Sequence, residues 1–334
     1  MISFLFYLAF LLLFVVVAVY VERKTAAFIQ ARLGPMEVGP KGVFQTIADL
    51  LKMLQKEDLK AAAVDRVPFL IAPIIVFSAV FAGYSVLPVN ANLPGSTIES
   101  GLFLLLAVVS LDVLGILMAG WASNNKYSLF GAMRAVAQIV SYEIPLGLSV
   151  LCVVVITGTL DLQYTSLLQS GEGLISWNIV RHPVLVIPFV TFFISGLAES
   201  NRTPFDLPES ESELIGGYHT EYSGFRWGIF MLSEYGMMLL LSLLAAILFL
   251  GGWNSPIPNM GGIELYHYTS GMIWGTFWLL GKALILIFVQ MWVRWTLPRL
   301  RVDQLMSLSW KYLTPISLFM LFVCALWKWW LVSL

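Results

Sequence analysis

Between Arg202 and Gly224 the chain reads RTPFDLPESESELIGGYHTEYSG, with five carboxylates (Asp206, Glu209, Glu211, Glu213 and Glu221) and no Lys or Arg between Arg202 and Arg226. Carboxylates at this density repel one another, which raises some of their pKa values toward neutrality and lets the group hold or release protons as nearby charge changes. Glu199 stands just before the stretch, and Asp112, Glu143, Glu234 and Lys282 stand inside long apolar runs. An ionised side chain at the centre of a bilayer costs about 3 kcal/mol on insertion scales, so each of these four must face a bundle interior or water. The chemistry to which these residues point is the movement of protons or charge.

The elements that position them are membrane helices. The chain is 59% apolar and only 12% charged, with a mean hydropathy of +0.84, where a soluble domain is about 25% charged. A span needs about 20 mostly apolar residues. Candidates lie near residues 2–21, 67–88, 101–120, 134–158, 184–198, 226–251, 272–293 and 311–333. The expected fold is therefore an all-α integral membrane protein, a single membrane domain of eight transmembrane helices. The first apolar segment has no basic region before it and no small-residue cleavage site after it, so it reads as a retained span rather than a signal peptide. Lys and Arg give the orientation: the first, third, fifth and seventh loops with their edges hold 8, 2, 2 and 4, against 0, 1 and 0 for the second, fourth and sixth. Both termini are expected outside, and the acidic loop, residues 199–225, inside.

Two segments are irregular. From Gly42 to Lys56, apolar Val43, Phe44, Ile47, Leu50, Leu51 and Leu54 recur at helical spacing opposite Gln45, Asp49, Lys52 and Lys56, which predicts an amphipathic helix in the interface or against a partner subunit. The clean apolar part of the fifth span, Val184 to Ala198, rises only about 22 Å. Either it begins earlier, around Trp177, or Glu199 and the acidic loop start below the inner membrane surface.

Counted from the inner helix ends, Asp112, Glu143, Glu234 and Lys282 lie about 12, 14, 12 and 17 Å deep. That is one layer, suited to passing charge or protons from helix to helix in the membrane plane rather than straight through it. Pro145 lacks an N–H and frees the carbonyl of Ser141 beside Glu143, and Tyr142 and Tyr235 can extend a hydrogen-bonded path. The alternative is that Lys282 forms a structural ion pair with one carboxylate while the others are neutral packing groups. Likewise the acidic loop has an alternative role in docking positive patches of a partner.

Several classes of function find no support. A net charge of -1 gives no basic excess for nucleic acid, and no G-x-x-x-x-G-K-[ST] or G-x-G-x-x-G stands ready for nucleotide phosphates. Cys152 and Cys324 sit in separate apolar runs without metal-ligand spacing, and His182, His219 and His267 lie on different loops and make a poor metal or haem set. His219, within the acidic loop, is the one histidine placed to titrate usefully. Asn201-Arg202-Thr203 matches a glycosylation sequon, read as coincidence on the inner face. Any redox centres must belong to partners.

The segment ESNRTPFDLPESESELIGGYHTEYSGFR at 199–226 closely resembles the fifth loop of the H-subunit family of bacterial NADH:quinone oxidoreductase, respiratory complex I, known in mitochondria as NADH dehydrogenase subunit 1. VERK at 21–24, GPMEVGPKGVFQTIADLLK at 34–52, GWASNNKYSLFGAMRAVAQIVSYEIPLG at 120–147 and RVDQLMSLSWK at 301–311 agree, in order, over nearly the whole chain. Met36 and Val302 depart from the family's usual Asn and Tyr. The resemblance implies eight membrane helices, of which the second to sixth form an antiporter-like half. It implies proton-translocating NADH:quinone oxidoreductase activity for the whole complex, with no independent catalysis by this chain, and quinone as substrate. Iron-sulfur clusters and flavin would be held only in partners.

Those partners would be hydrophilic redox-arm subunits, including the one carrying the terminal iron-sulfur cluster, and small and antiporter-like membrane-arm subunits, in a bacterial inner membrane or alternatively a mitochondrial one. Arg23, Arg202, Phe205, Asp206, Glu209, Glu211, Glu221, Tyr222 and Phe225 would adjoin the quinone cavity. Glu199 and Glu213 would join the acidic connection, continued by Glu143 and Glu234, with Asp112 and Lys282 as additions from the depth argument. Two other readings stay open: the homologous membrane subunit of a membrane-bound hydrogenase or F420-linked dehydrogenase, and a free-standing ion-coupled transporter.

Overall fold

A computed structural model describes residues 2–96, 98–171, 173–208, 214–258, 269 and 271–333. It is all-helical, with 73% of residues in helices and no strand among the described residues. The main helices are α1 Ile2–Ile29, α2 Gln45–Gln55, α3 Arg66–Gly83, α4 Gly101–Val109, α5 Asp112–Ala122 and α6 Lys126–Thr157. They continue with α7 Leu162–Leu167, α8 Asn178–Arg181, α9 Val186–Glu199, α10 Gly224–Phe249, α11 Met272–Thr296, α12 Val302–Ser307 and α13 Thr314–Ser333. Among the described residues seven stretches are long and apolar enough to span a membrane, counting α4 with α5 and α12 through α13 as one each, and Pro183–Glu199 is a shorter apolar helix.

The apolar pattern of each helix decides its depth in the bundle. Helix α10 is apolar on every side, and every residue from Ser233 to Phe249 is buried, as expected of a helix with no solvent or lipid face. It packs on α1, α3, α9 and α11. Helix α1 instead leaves Leu5, Leu12, Leu13 and Val17 exposed, and α13 leaves Leu318, Phe319, Phe322 and Trp329 exposed. These are peripheral helices whose outward faces suit lipid or other subunits.

Several boundaries depart from the hydropathy reading. Helix α1 runs to Ile29 rather than residue 21, because Glu-Arg-Lys-Thr-Ala-Ala after Val21 contains no helix breaker; polarity ends a hydrophobic run without ending a helix. Helix α6 starts at Lys126 rather than 134, capped by Asn125, whose side chain accepts from the Tyr127 N–H. The amphipathic segment is helical over Gln45–Gln55, the preceding turn being set by positive φ at Lys41 and Gly42. The fifth apolar helix does not extend unbroken back to Trp177: His182 and Pro183 interrupt it after α8.

Two prolines inside helices open gaps that side chains from elsewhere fill. Proline has no N–H for the carbonyl four residues back, and in hydrocarbon such a carbonyl needs another donor. For Pro145 that carbonyl is Ser141, and the Ser309 hydroxyl donates to it at 2.6 Å from a π-helical turn, Leu308–Leu313. For Pro73 it is Phe69, and the Tyr222 hydroxyl donates to it at 3.2 Å while the two rings stack 4.0 Å apart. Removing either hydroxyl, by Ser309→Ala or Tyr222→Phe, leaves a buried acceptor unmet. Each substitution is expected to cost about 1–3 kcal/mol, read as an earlier thermal transition of the purified assembly.

Candidate functional site

A cavity of about 690 Å³ lies between α1, α2, α10 and the C-terminal end of α11, within the range of about 300–1,000 Å³ usual for small-molecule sites. Its walls follow from helical periodicity. Leu12, Val15, Val16 and Val19 form one stripe of α1; Thr46, Asp49, Leu50, Met53 and Leu54 form one face of α2; and Phe225, Met231, Leu232 and Tyr235 come from α10. The walls are mostly apolar, and charge enters through Arg23, Arg32, Asp49, Glu22 and Arg294. Arg23 hydrogen-bonds Asp49 on the exposed side, tying α1 to α2.

Glu22 is buried and is shared among three partners from distant parts of the chain. Its carboxylate accepts from the Tyr235 hydroxyl at 2.6 Å, pairs with Arg202 at 3.4 Å and hydrogen-bonds Arg294. The Arg202 guanidinium lies 4.1 Å from the centre of the Tyr235 ring. Burial works against the Arg202 charge, but Tyr235, Glu22 and Glu234 outweigh it and hold its pKa above the ordinary value.

Behind this group lies a small cleft of about 10 Å³, lined by Asp112, Glu199, Glu234, Asn201, Tyr218 and Ser233, roughly the volume that admits one water. Glu234 and Tyr235 are consecutive, so one turn of α10 serves the acidic cleft with one residue and the large cavity with the next. The Tyr218 hydroxyl donates to Glu234 at 3.1 Å. Asp112 Oδ1 and Glu199 Oε2 are buried with no hydrogen-bond partner among the described residues, a costly state for a charged oxygen. Glu143, half-buried on α6, acts electrostatically on both Asp112 and Glu199.

Close backbone contacts hold these side chains. The turn Gly217–His219 lies against α6, where a Cβ on Gly131 would come 2.7 Å from the Gly217 Cα, and Gly217 itself has φ +64. The Ser128 hydroxyl donates to the Tyr218 carbonyl at 2.9 Å, which fixes the ring that reaches Glu234. On the other side, the Gln138 amide of α6 donates to the carbonyls of Ala198 at 2.7 Å and Phe205 at 2.8 Å. It thereby pins both ends of the turn that carries Glu199 and Arg202.

The residues singled out from the sequence take several places. Arg23 and Phe225 line the large cavity, whereas Phe205 packs edge-on against Tyr142. Tyr222 braces the Pro73 gap. Asp206 pairs with Arg299 at 2.9 Å, so a cation balances its charge, whereas Glu221 accepts from the neutral Asn125 amide at 2.7 Å, which fixes its position and leaves its charge in place. Glu209, Glu211 and Glu213 lie outside the described residues, as does His267. Asp112, Glu199 and Glu234 converge, with Glu143 beside them.

Lys282 does not join that layer. Its ammonium donates to the carbonyls of Gly252 at 2.9 Å and Asn254 at 2.7 Å, and lies 4.1 Å from the Trp177 ring centre. Counting backbone rise places its Cα but not its long flexible arm, which reaches toward the far loops. The Tyr142 hydroxyl is likewise committed, donating to the Leu305 carbonyl at 3.0 Å. Sequence reasoning misses Glu22, Arg294 and Tyr218 as site residues. Glu22 is legible as an acidic residue one position beyond an apolar run, but only a helix continuing to Ile29 turns it inward. Among the described residues no three His, Cys, Asp or Glu side chains form a metal-ion set.

A family model described as NADH dehydrogenase matches residues 2–325 of the chain. The NADH-quinone oxidoreductase H subunit 2 of Cytophaga hutchinsonii is 50% identical, the match covering 98% of this chain and 98% of its own. The NADH-quinone oxidoreductase H subunit of Chlorobaculum tepidum is 53% identical over 92% of this chain and 86% of its own. That of Bacteroides fragilis is 46% identical over 93% and 86%.

Glu22→Gln takes the single negative charge from between Arg202 and Arg294 and leaves both guanidinium groups partly uncompensated. Breaking a buried ion pair in this way costs about 3–5 kcal/mol. The expected outcome is a marked fall in thermal stability and in the yield of assembled protein, and a stability within about 0.5 kcal/mol of the parent, the range of ordinary surface changes, would remove Glu22 from this role.

Proposed function

The chain belongs to the NADH dehydrogenase family, with relatives named as H subunits of NADH-quinone oxidoreductase, and from that premise we propose that it is the membrane subunit of a proton-translocating NADH:quinone oxidoreductase, forming part of the quinone cavity and linking quinone reduction to proton transfer. The observation that carries this reading is the adjacency of two spaces of different chemistry. The 690 Å³ cavity has apolar walls suited to an isoprenoid quinone, and its charged end shares Tyr235 and Glu22 with the approach to the cleft of Asp112, Glu199 and Glu234.

In this reading quinone enters through the face between α1 and α2, past Arg23 and Asp49. Its headgroup travels beyond the apolar stripe to be reduced at an iron-sulfur cluster in a redox-arm partner. Electrons are the partner's contribution; this chain's residues deal with the accompanying charge. A negative charge appearing near Glu22 weakens that carboxylate's hold on Arg202 and Arg294, and Arg202 also feels Glu234. A shift of the guanidinium therefore alters the balance between Glu234, Asp112 and Glu199, and Glu143 receives or returns the proton toward the membrane arm. Tyr218, bonded to Glu234, is the side chain placed to relay it.

The same premise assigns the remaining roles. The short apolar helix Pro183–Glu199 completes eight spans, with both termini outside and the loop of residues 199–225 on the side of the redox arm. The protein then resides in a bacterial inner membrane, beside small and antiporter-like subunits. Glu209, Glu211 and Glu213 contribute to the acidic connection at the partner interface, and Asp206, through Arg299, fixes where that loop begins.

Glu143→Gln and Glu234→Gln, in a correctly assembled complex, are each expected to lower quinone-linked proton translocation by about a hundredfold, the lower end of what a positioned proton-transfer group contributes. Unchanged translocation in both would sink the path. Glu213→Gln separates proton transfer from docking: intact assembly with lost coupling supports the first, and lost assembly the second.

A further inference from the structure

Only three of the nineteen Lys and Arg residues lie toward the end of the bundle opposite the large cavity: Arg181, Lys282 and Lys328. Lys282 is buried and held by two carbonyls and Trp177. The other two meet at one place. Arg181 ends α8, His182 forms the break before α9, and Lys328 stands on the last turns of α13, which packs against the turn after His182. The Lys328 ammonium donates to the Ile156 carbonyl at 2.7 Å, in the final turn of α6, and keeps two N–H groups for other acceptors. The Trp327 indole donates to Nδ1 of His182 at 3.2 Å. That bond sets the His182 tautomer and leaves its Nε2–H to donate. Burial, and then the charges of Arg181 and Lys328, lower the His182 pKa.

Arg181 is exposed and has no side-chain partner among the described residues. Of the two acidic residues between α6 and α8, Glu172 lies outside the described residues, and Asp161 is occupied in capping α7 through the Gln163 N–H. Around the cations the surface is apolar and aromatic: Trp329 and Trp330 on α13 and Val186, Ile187 and Val190 on α9 are exposed, and the Trp327 and Trp330 rings lie 5.3 Å apart. Tryptophans with basic side chains snorkelling from a helix end are the composition of a lipid headgroup boundary. A soluble anion would find the cations but have no use for the flanking apolar faces.

We propose that Arg181, Lys328 and His182 Nε2–H bind the phosphate of an anionic phospholipid, whose chains lie along the exposed apolar sides of α9 and α13. The lipid stiffens a three-helix junction, because Lys328 then joins the end of α6, the end of α13 and, through the phosphate, the α8–α9 break. The site stands independently of the orientation proposed above, which decides only the leaflet that supplies the lipid.

The test uses the purified complex in nanodiscs containing phosphatidylglycerol or phosphatidylcholine with a photoactivatable group on one chain, and maps labelled peptides within residues 178–190 and 314–333. Phosphatidylglycerol is expected to label these segments several-fold more than phosphatidylcholine. Arg181→Gln should cut that labelling about fivefold and Arg181→Gln with Lys328→Gln about twentyfold, as loss of one or two membrane-surface cations predicts, with phosphatidylcholine labelling unchanged and Arg181→Lys restoring the parent level. Arg181 makes no side-chain bond among the described residues, so its variants test binding without disturbing the fold. Equal labelling by the two lipids, or phosphatidylglycerol labelling unaffected by Arg181→Gln, would overturn the proposal. So would its displacement by millimolar glycerol phosphate, which would mark a free-anion site, or cross-links from these residues to a neighbouring subunit in place of lipid.

Discussion

The arrangement of the half of this molecule that holds the large cavity depends on one buried carboxylate. Glu22 comes from the first helix, and three partners meet at its oxygens: Arg202 from the turn after α9, Tyr235 from α10 and Arg294 from the end of α11. Removing charge from water is expensive, so a buried carboxylate fixes its partners firmly or is not tolerated at all. The constraint closes the large cavity at one end. It also places a guanidinium where it senses both that cavity and Glu234 on the acidic side. A site meant to respond to a new charge gains from being nearly neutral and tightly coupled beforehand, since a small change in field then alters which partner each group prefers.

Around that constraint the protein uses the membrane's intolerance of unmet backbone groups as a way of joining segments. Pro73 and Pro145 each free a carbonyl, and the donors that fill the gaps are Tyr222, from the acidic loop, and Ser309, from the π-helical turn after α12. A regular helix satisfies its own backbone and has no need of its neighbours; a helix with a proline gap does. Gln138 performs a related task with its side chain, carrying both ends of the turn with Glu199 and Arg202. Irregular backbone around the cleft is thus held by bonds specific to it, which is how a polar region persists between apolar helices.

The distribution of charge also separates roles. At the end that holds the large cavity, opposite charges are brought together: Asp206 with Arg299, Asp58 with Arg226, Glu22 with two arginines. At the other end Arg181 and Lys328 converge without an acidic partner among the described residues, amid tryptophans. The first pattern builds an internal electrostatic unit, and the second leaves cations uncompensated by described carboxylates at an aromatic surface.

The sequence by itself determined the helical membrane class, most of the spans, the proline gap at Ser141 and the acidic character of the region around Glu199 and Glu234. These are properties of local composition, since twenty apolar residues must be helical in a bilayer whatever surrounds them. Hydropathy could not place the ends of α1 and α6, because a run stops being apolar before it stops being helical, and so Glu22 read as a loop residue. Depth counting brought Asp112, Glu143 and Glu234 to one level but misled for Lys282, whose side chain extends well away from its Cα to Gly252 and Asn254. Pairing lay beyond the sequence altogether: that Glu22 takes Arg202 and Arg294, separated from it by 180 and 272 positions, or that Asp206 and Glu221 are already partnered, depends on which helix faces meet. Only the tertiary structure decides that, because packing brings together groups whose separation along the chain carries no record of their distance in space.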